Sequence, residues 1–459
     1  MWPTRNNCPC PKGTDAENPY FPVPANPNFI HQPQVDEKTA LILNIVTPTQ
    51  TSPQNKDAGR EKYPVLIWIH GGSLLYGSAN YGMYDAVNFV SHSVEIGWPV
   101  LVVNFNYRLG LGGFLASEQI SEELKRDGFA GNGNFGFTDQ KVASEWVAKY
   151  IASFGGDPDN VTAFGQSAGA ISIGHQMAAR EPMRFHRAIC MSGLGSTLLP
   201  RSLEEHQAIF AATCRYFEID EHAPDVLDQL RRIPEQMMAD ADHIIQGVPS
   251  GTGNSCFDGW FYAHEPWEIE PAPPWIRSFM LGDVHDEGVI FQVNIREDTF
   301  ETIRETLLEQ VQDAFFVDAV LLEYGITPEL SHEDLVEKAS IMGAEAVFKI
   351  HNYKTALVNT QLRSQLFKYH FDQRSRLPNI LKGLAYHGID VLYLFMNLDN
   401  KLSNSERTMS RDLASAWIKF AWGQAPWESG TEHGPWELWG PDSKEQVETE
   451  EEDEAERPK

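Results

Sequence analysis

Residues 160–170, which read NVTAFGQSAGA, are the stretch that most strongly indicates the fold of this chain. A β-branched and aromatic run ends at Phe164, and the pentapeptide GQSAG (165–169) leads into small residues that suit a helix. Glycine on either side of the serine permits a sharp turn from strand to helix, because a Cβ at those places would meet crowded backbone. The pattern G-x-S-x-G therefore predicts that Ser167 projects its hydroxyl above a sheet. Since this pattern also occurs by chance, its context decides its meaning.

A second glycine-containing turn lies about a hundred residues upstream. Residues 63–84 read YPVLIWIHGGSLLYGSANYGMY, in which an apolar strand runs into the loop HGGS at 70–73. Its glycines allow consecutive N–H groups to point toward one place, and the helix predicted to start at Ala168 points its own N–H groups and the positive end of its dipole at the serine. The two loops together predict a site that binds an oxyanion.

The remaining strand signals set the fold class. Several are continuous apolar runs, as expected for strands of a mostly parallel sheet that helices cover on both faces. The candidates are residues 41–46, 65–70, 100–106, 161–164, 186–191, 277–281, 366–371 and 391–395. Helical patterns separate them, so we predict an α/β fold.

Three segments carry helical signals. Residues 139–154 place Val142, Trp146, Val147 and Tyr150 on one stripe, which predicts an amphipathic helix that ends at the glycines 155–156. Residues 202–234, which begin with a capping box, and residues 301–365 have helical periodicity and few strand signals. We interpret these last two as helical insertions over the carboxyl edge of the sheet, where they would form pocket walls.

Composition and charge limit the classes of partner and the location that we expect for this protein. The chain has 459 residues and a formal net charge of −28, so nucleic acid and anionic membrane surfaces would be repelled. No apolar run is long enough to span a bilayer, and the N-terminus has neither a basic nor an apolar signal region. We expect a cytoplasmic protein, or a secretory one if an N-terminal segment is missing. The sequence predicts one catalytic domain at 1–443 and a disordered acidic tail at 444–459.

The cysteines do not indicate a metal site. Their number is odd and their spacing fits no standard zinc site, so buried thiols are expected. They are Cys8, Cys10, Cys190, Cys214 and Cys256. With no other metal-like cluster, the prediction is an enzyme that needs no metal or other cofactor.

Longer runs resemble the type-B carboxylesterase and cholinesterase family. They are VNFNYRLGLGGFLAS (103–117), residues 133–170 (GNFGFTDQKVASEWVAKYIASFGGDPDNVTAFGQSAGA), LGDVHDEGVIF (281–291), GLAYHGIDVLYLF (383–395) and the IHGG of the second turn. This resemblance implies an α/β-hydrolase fold and cofactor-free hydrolysis of carboxylic esters by a Ser-Glu-His triad. Matched by position, it makes Ser167 the nucleophile, Glu287 the acid and His387 the base. It also implies an oxyanion hole formed by the N–H groups of Gly72, Ser73 and Ala168.

Reasoning from the residues alone leaves part of this open. A serine needs a neutral imidazole to take its proton, and the imidazole needs a carboxylate to hold its tautomer. In the order serine, acid, histidine, His387 fits better than His70, which precedes the serine, or His285, which adjoins the acid. Asp286 and Glu287 are neighbours that only the strand phase or the resemblance separates, and Asp390 is the next candidate acid.

The chain also departs from the family. Gln166 stands where the family usually has glutamate, which removes a negative charge near the site and leaves Arg108 without its usual ionic partner. Ser73 and Leu74 replace a glycine and an aromatic residue of the oxyanion loop, and Ala40 replaces a disulfide cysteine, which is consistent with a reducing compartment. Residues 25–39, which would hold a choline-binding tryptophan in cholinesterases, contain none.

Three functions fit these observations. The first is a serine esterase acting on small neutral esters, with an ester as its small-molecule partner. The second is a triad enzyme that carries out acyl transfer, cyclisation or elimination, because fold and triad do not determine the acyl acceptor. The third is a non-catalytic interaction protein, although such relatives have typically lost a triad member. The oligomeric state is not predicted.

Overall fold

The computed structural model describes residues 40–49, 62–241, 253–262, 264–265, 269–359, 365–429, 434–443 and 445–449. Its strands are β1 (Leu43–Val46), β2 (Tyr63–Ile69), β3 (Leu101–Phe105), β4 (Gly156–Gln166), β5 (Arg187–Met191), β6 (Ser278–Val284), β7 (Leu366–Phe371), β8 (Trp436–Trp439) and β9 (Glu445–Glu448). Within the described residues they form one sheet in the order β1-β3-β2-β4-β5-β6-β7-β8-β9. The sheet is parallel from β3 to β8, and the edge strands β1 and β9 pair antiparallel to their neighbours.

Helices connect the strands. They are α1 (Val87–Glu95), α2 (Gly110–Phe114), α3 (Glu118–Arg126), α4 (Phe135–Tyr150), α5 (Ala168–Ala178), α6 (Leu203–Tyr216), α7 (Val226–Arg231), α8 (Glu235–Ala241), α9 (Gln292–Ile295), α10 (Phe300–Val311), α11 (Ala314–Glu323), α12 (His332–Ala344), α13 (Ile350–Val358), α14 (Ile389–Leu394) and α15 (Asn404–Ala421). The predicted α/β class and mostly parallel sheet are confirmed.

Strand β2 shows why the central strands read as continuous apolar runs. Leu66 and Trp68 belong to the core on one face, together with residues of α1, α14 and α15. Val65 and Ile67 belong to the core on the other face, together with residues of α4, α5 and α13. Because successive side chains of a strand point to opposite faces, a sheet covered on both sides needs an apolar residue at every position.

The predicted strand at 391–395 was wrong. These residues belong to α14 and the residue after it, and all six residues of α14 are buried. A short apolar run that is buried on every side has no amphipathic period, so a strand and a buried helix give the same signal. Gly388, with φ +87°, starts this helix directly after His387.

The helix predicted at 139–154 begins earlier, and only part of its predicted stripe is buried. It is α4, which is followed by a 3-10 turn at Ile151–Phe154 and by Gly155 in the left-handed region. Val147 is buried, but Val142 is 62% exposed and Tyr150 is 41% exposed. The buried face also carries Gln140, whose amide donates to the hydroxyl of Ser172 in α5 at 3.0 Å.

The predicted helical insertions contain the expected helices. Ser202 caps α6 in a reciprocal capping box with Glu205. The second insertion, α10 to α13, packs on the turn that follows β6: a Cβ built on Gly288 would lie 2.3 Å from the carbonyl oxygen of Ser340 in α12. This close approach brings the insertion to the segment that carries Glu287.

The C-terminal region differs from the predicted tail. Residues 444–459 were expected to be disordered, but Glu445–Glu448 form β9, an edge strand that pairs with β8. Backbone hydrogen bonds to a neighbouring strand do not depend on side-chain polarity, which explains why composition alone missed it. Residues 450–459 lie outside the described residues, as do Cys8 and Cys10, while Cys190, Cys214 and Cys256 are buried free thiols.

Candidate active site

The GQSAG turn joins β4 to α5. Ser167 adopts φ +56° and ψ −127°, a conformation that costs energy for a residue with a side chain, and its N–H donates to the carbonyl of Met191 at 2.9 Å. Gly169 is required because its Cβ would lie 1.9 Å from the carbonyl oxygen of Ile69 at the end of β2. The turn therefore packs against the neighbouring strand and presents a half-buried Ser167 at the carboxyl edge of the sheet.

The HGGS loop lies against this turn. A Cβ built on Gly71 would be 3.1 Å from the Cβ of Ser167. Gly72, Ser73 and Leu74 follow in succession with φ values of +112°, +55° and +57°. This left-handed run turns the chain sharply, and Leu75 and Tyr76 both donate their N–H groups to the carbonyl of Gly72.

The three amides predicted to bind an oxyanion belong to these two turns. They are the N–H groups of Gly72, Ser73 and Ala168, and none of them donates a hydrogen bond to a residue in the described part of the chain. Ala168 is the first residue of α5, where backbone N–H groups have no partner within the helix. The positive end of the helix dipole adds to their attraction for a negative oxygen.

Glu287 lies in the 3-10 turn Glu287–Ile290 that follows β6, and its side chain is completely buried. One carboxylate oxygen accepts the N–H of Val284 at 3.0 Å. The other contacts Nδ1 of His387. A carboxylate held on both oxygens fixes the imidazole ring with an Nδ1–H directed at the acid.

The side chain of Asp286 points away from His387 and links the turn after β6 to the segment that carries His387. Its Oδ2 accepts the N–H of Ala385 at 2.7 Å, while its own N–H donates to the carbonyl of Ala385 at 2.9 Å. Its Oδ1 contacts the half-exposed His285. Of the two adjacent acids, Glu287 is the one that the structure places on His387, because the backbone directs their side chains apart.

The Nε2 atom of His387 contacts Gln166 rather than Ser167. The side-chain amide nitrogen of Gln166 lies 3.0 Å from Nε2, in a contact between residues 221 positions apart. Within the described residues, the hydroxyl of Ser167 has no hydrogen-bond partner. The ring of His387 is 7% exposed and packs beside the ring of Phe348, with 5.0 Å between centroids.

Asp390 is a third carboxyl group in this region. It lies in α14, three residues after His387, and it accepts hydrogen bonds from the Tyr369 hydroxyl at 3.1 Å and from the N–H of Val391 at 3.0 Å. Burial, reinforced by the nearby charge of Glu287, raises the pKa of Asp390 to about 7. No hydrogen bond links it to His387, so it is a buried neighbour of the acid and the base.

The other two candidate histidines lie outside this arrangement. His70 is fully buried, its Nδ1 lies 2.9 Å from the carbonyl of Gly71, and its ring stacks on Tyr107. Burial lowers the pKa of His70 to about 4, so it stays neutral at physiological pH. His285 contacts Asp286 at 2.8 Å and is 43% exposed.

Arg108, which we expected to lack its usual ionic partner at position 166, pairs with Asp139. Asp139 binds its guanidinium through two hydrogen bonds of 2.7 Å, and the Phe135 ring lies 5.1 Å from its central carbon. Asp139 stands in the quoted run GFTDQ, but it is 31 residues from Arg108, and nothing in the sequence pairs the two. The glutamine at 166 therefore leaves no unpaired arginine.

Sequence reasoning missed two contacts. The first is the amide of Gln166 on His387, although the departure from glutamate marked that position. The second is a pair of stacked phenylalanines, Phe291 and Phe348, with centroids 6.1 Å apart, which provides an apolar surface beside His387. Phe348 lies within the helical insertion, where periodicity alone does not show which residues reach His387.

No group of three or more His, Cys, Asp or Glu side chains in the described part of the chain could hold a metal ion. None of the helices described is both long and apolar enough to cross a membrane.

The chain is similar to known esterases and lipases. It is 28% identical to Lipase 3 of Yarrowia lipolytica over 82% of this chain and 71% of that protein. It is 27% identical to the inactive carboxylesterase-like protein VdtD of Byssochlamys spectabilis over 93% of this chain and 76% of that protein. A solved structure of a PNB esterase matches with a TM-score of 0.74 at 25% identity, covering 93% of this chain and 86% of that one.

The family model described as "Carboxylesterase family" matches residues 5–458, which is nearly the whole sequence. The fold match, which covers 93% of the chain, confirms the α/β-hydrolase fold that the resemblance implied. The chain therefore belongs to the carboxylesterase family, a family of carboxylic ester hydrolases.

Proposed function

We propose that this chain hydrolyses small neutral carboxylic esters through an acyl-enzyme formed on Ser167. The observation that carries this proposal is the continuous set of contacts from Glu287 through His387 to Gln166, the residue adjoining the serine. A buried acid, an imidazole with its Nδ1 on that acid, and a serine on a strained turn are the parts that nucleophilic acyl transfer needs.

In the first half of the reaction, the Ser167 oxygen forms a bond to the carbonyl carbon while its proton passes to Nε2 of His387. The carbonyl electron pair moves onto the oxygen, which the N–H groups of Gly72, Ser73 and Ala168 stabilise. Glu287 stabilises the imidazolium. The ester C–O bond then breaks, and the departing alcohol takes the proton from Nε2.

The second half repeats these steps with water. Nε2 accepts a proton from water as the water oxygen attacks the acyl carbon, and the same amides bind the oxyanion again. The bond to Ser167 breaks, its oxygen regains the proton, and the carboxylic acid leaves. No group outside the protein is needed to balance either half.

The surroundings of the site support small neutral substrates. Phe291 and Phe348 present apolar surface beside His387, and the amide of Gln166 brings no charge to Nε2. The stretch 25–39, which corresponds to the choline-binding loop of cholinesterases, contains no tryptophan. We therefore expect no preference for a choline ester over its neutral isostere at moderate salt.

The test is hydrolysis of 4-nitrophenyl esters of graded acyl length, with a choline ester and its neutral isostere in the same panel. Ser167→Ala should lose on the order of a millionfold in turnover, as removal of a triad serine does elsewhere. Ser153→Ala, at an exposed serine of the 3-10 turn after α4, is the matched control and should retain activity. Unchanged turnover in Ser167→Ala, or activity abolished by a chelator, would contradict the proposal.

A second candidate is a non-catalytic role, favoured by one observation: the similar protein VdtD is named inactive. The same experiment separates the two. An intact chain that hydrolyses none of the esters and does not react with a fluorophosphonate at Ser167 would fit the non-catalytic role. Reaction of the probe with wild type but not with Ser167→Ala would exclude it.

A further inference from the structure

The Nε2 atom of His387 already has a partner in this structure. A general base needs a free lone pair on Nε2 to take the proton of Ser167. That place is occupied by the side-chain amide of Gln166, 3.0 Å away, within a buried contact. The resting arrangement is therefore not the reacting one.

The chemistry of the ring determines which way the amide points. Nδ1 faces the carboxylate of Glu287, so in a neutral ring Nδ1 carries the proton and Nε2 carries the lone pair. Only the NH₂ side of the Gln166 amide can then face Nε2, and it must donate. The opposite assignment would place an Nδ1 lone pair against a carboxylate.

One lone pair accepts one strong hydrogen bond, so Gln166 and Ser167 compete for Nε2. Building on the function proposed above, we propose that the side-chain amide of Gln166 occupies Nε2 of the Nδ1-protonated His387 in the resting enzyme until substrate binding displaces it. Ser167 reaches Nε2 only after that displacement.

The position of the amide explains how a substrate displaces it. Gln166 adjoins the HGGS loop: a Cβ built on Gly71 would lie 3.3 Å from Oε1 of Gln166 and 3.1 Å from the Cβ of Ser167. The amide thus lies between the base and the loop whose N–H groups bind the oxyanion. An acyl group whose carbonyl oxygen is bound at that loop would therefore compete with the amide for this place.

Glutamine and the glutamate usual in the family act differently at this place. An amide donates to a neutral ring and, after a half-turn of its end group, accepts from an imidazolium. A carboxylate only accepts, and its charge favours the imidazolium. Gln166 therefore brings no charge to Nε2, whereas a glutamate at the same place would.

The first experiment compares wild type with Gln166→Met and Gln166→Glu. Methionine keeps the length of the side chain but cannot bond to Nε2, so kcat/KM for a 4-nitrophenyl ester should rise roughly two- to tenfold, the worth of one neutral hydrogen bond. In Gln166→Glu, the acidic limb of the kcat/KM profile should move about one to three pH units upward. The matched control is Gln446→Glu on the edge strand β9, which should leave the limb in place.

Other charged groups near His387 are common to all these variants. Glu287 faces Nδ1 from the 3-10 turn, Asp390 acts on the ring electrostatically from α14, and Phe348 contributes an uncharged ring. A movement of the limb in Gln166→Glu alone therefore reports the group at Nε2.

The second experiment does not depend on turnover. The ¹⁵N spectrum of histidine-labelled protein should show His387 with a protonated Nδ1 and a hydrogen-bonded, unprotonated Nε2, whose resonance shifts in Gln166→Met. In the spectra, the proposal would be overturned by an unshifted Nε2 resonance in Gln166→Met or by a protonated Nε2 in the neutral ring. In the kinetics, it would be overturned by a fall of kcat/KM in a folded Gln166→Met or by an acidic limb that does not move in Gln166→Glu. A wild type that hydrolyses no ester but shows the expected spectrum would overturn the proposed function and leave the contact with Nε2 established.

Discussion

Replacing Glu287 by glutamine should separate catalysis from folding more sharply than any other single change in the site. The carboxylate accepts two hydrogen bonds, from the N–H of Val284 on one oxygen and from Nδ1 of His387 on the other. An amide has one oxygen and one NH₂ group, so it can accept only one of them. Whichever way the amide turns, its NH₂ group faces one of the two atoms that donate in wild type, and the place is completely buried.

The two orientations have different consequences, and both can be given a size. If the amide oxygen stays on the N–H of Val284, its NH₂ group donates to Nδ1 and leaves the proton on Nε2, where the base cannot accept one. A wrong tautomer of this kind costs about ten-thousandfold in rate in a serine protease. If the oxygen stays on His387, the buried N–H of Val284 loses its acceptor, which costs about 1 to 3 kcal/mol of folding free energy.

Asp286→Asn is the matched control for Glu287→Gln. An asparagine oxygen can still accept the N–H of Ala385, and its NH₂ group would face the half-exposed His285. We expect a loss of less than about tenfold, since no hydrogen bond to His387 changes. The assay is kcat/KM on one 4-nitrophenyl ester for both variants, with circular dichroism and urea unfolding to compare their folds. A larger loss in the Asp286 variant would reverse the assignment, and small losses in both would make Asp390 the candidate acid.

Two further predictions concern buried acids. Asp283 bonds to His370 at 2.7 Å and to Asn352 at 2.8 Å, and its pKa is lowered because these partners and the nearby Lys349 outweigh its burial. Asp283→Asn should therefore lower the free energy of unfolding in urea by about 3 kcal/mol at pH 7. This difference from wild type should become smaller as the pH falls below about 4. A variant as stable as wild type at pH 7 would contradict the prediction. Asp390 has a raised pKa of about 7, so the unfolded chain releases its proton first and wild type loses stability as the pH rises from about 4 to about 7. The free energy of unfolding of Asp390→Asn, relative to that of wild type, should rise across that window by up to about 4 kcal/mol. Above about pH 7 the difference should stay constant, and a difference that does not depend on pH would refute this prediction.

Local patterns in the sequence were sufficient for part of this protein. The glycines of GQSAG are needed because β2 lies against the turn, and a strained turn of a few residues can be read from those residues alone. The apolar runs of the central strands are equally local, because cover on both faces demands an apolar residue at every position. These features predicted the fold class and the place of Ser167.

Tertiary packing decided the rest. The segment 391–395 is helical and surrounded by core residues. Its own hydrophobic pattern does not distinguish a buried helix from a strand. Strand β9 exists because β8 offers it hydrogen bonds, although its residues are as polar as a solvated tail. In both cases the deciding interaction comes from residues outside the segment.

The site divides along the same line. By itself, the sequence determined the residue types and the glycine turns around Ser167, because each of these is contained in a short stretch. The residues alone left Asp286 and Glu287 open, and the tertiary structure places Glu287 on His387. Only the tertiary structure decided that Asp139 holds Arg108 and that the amide of Gln166 occupies Nε2. Those contacts join residues 31 to 221 positions apart, and a side chain's partner at that range depends on how the strands are ordered and on which way each chain leaves the sheet.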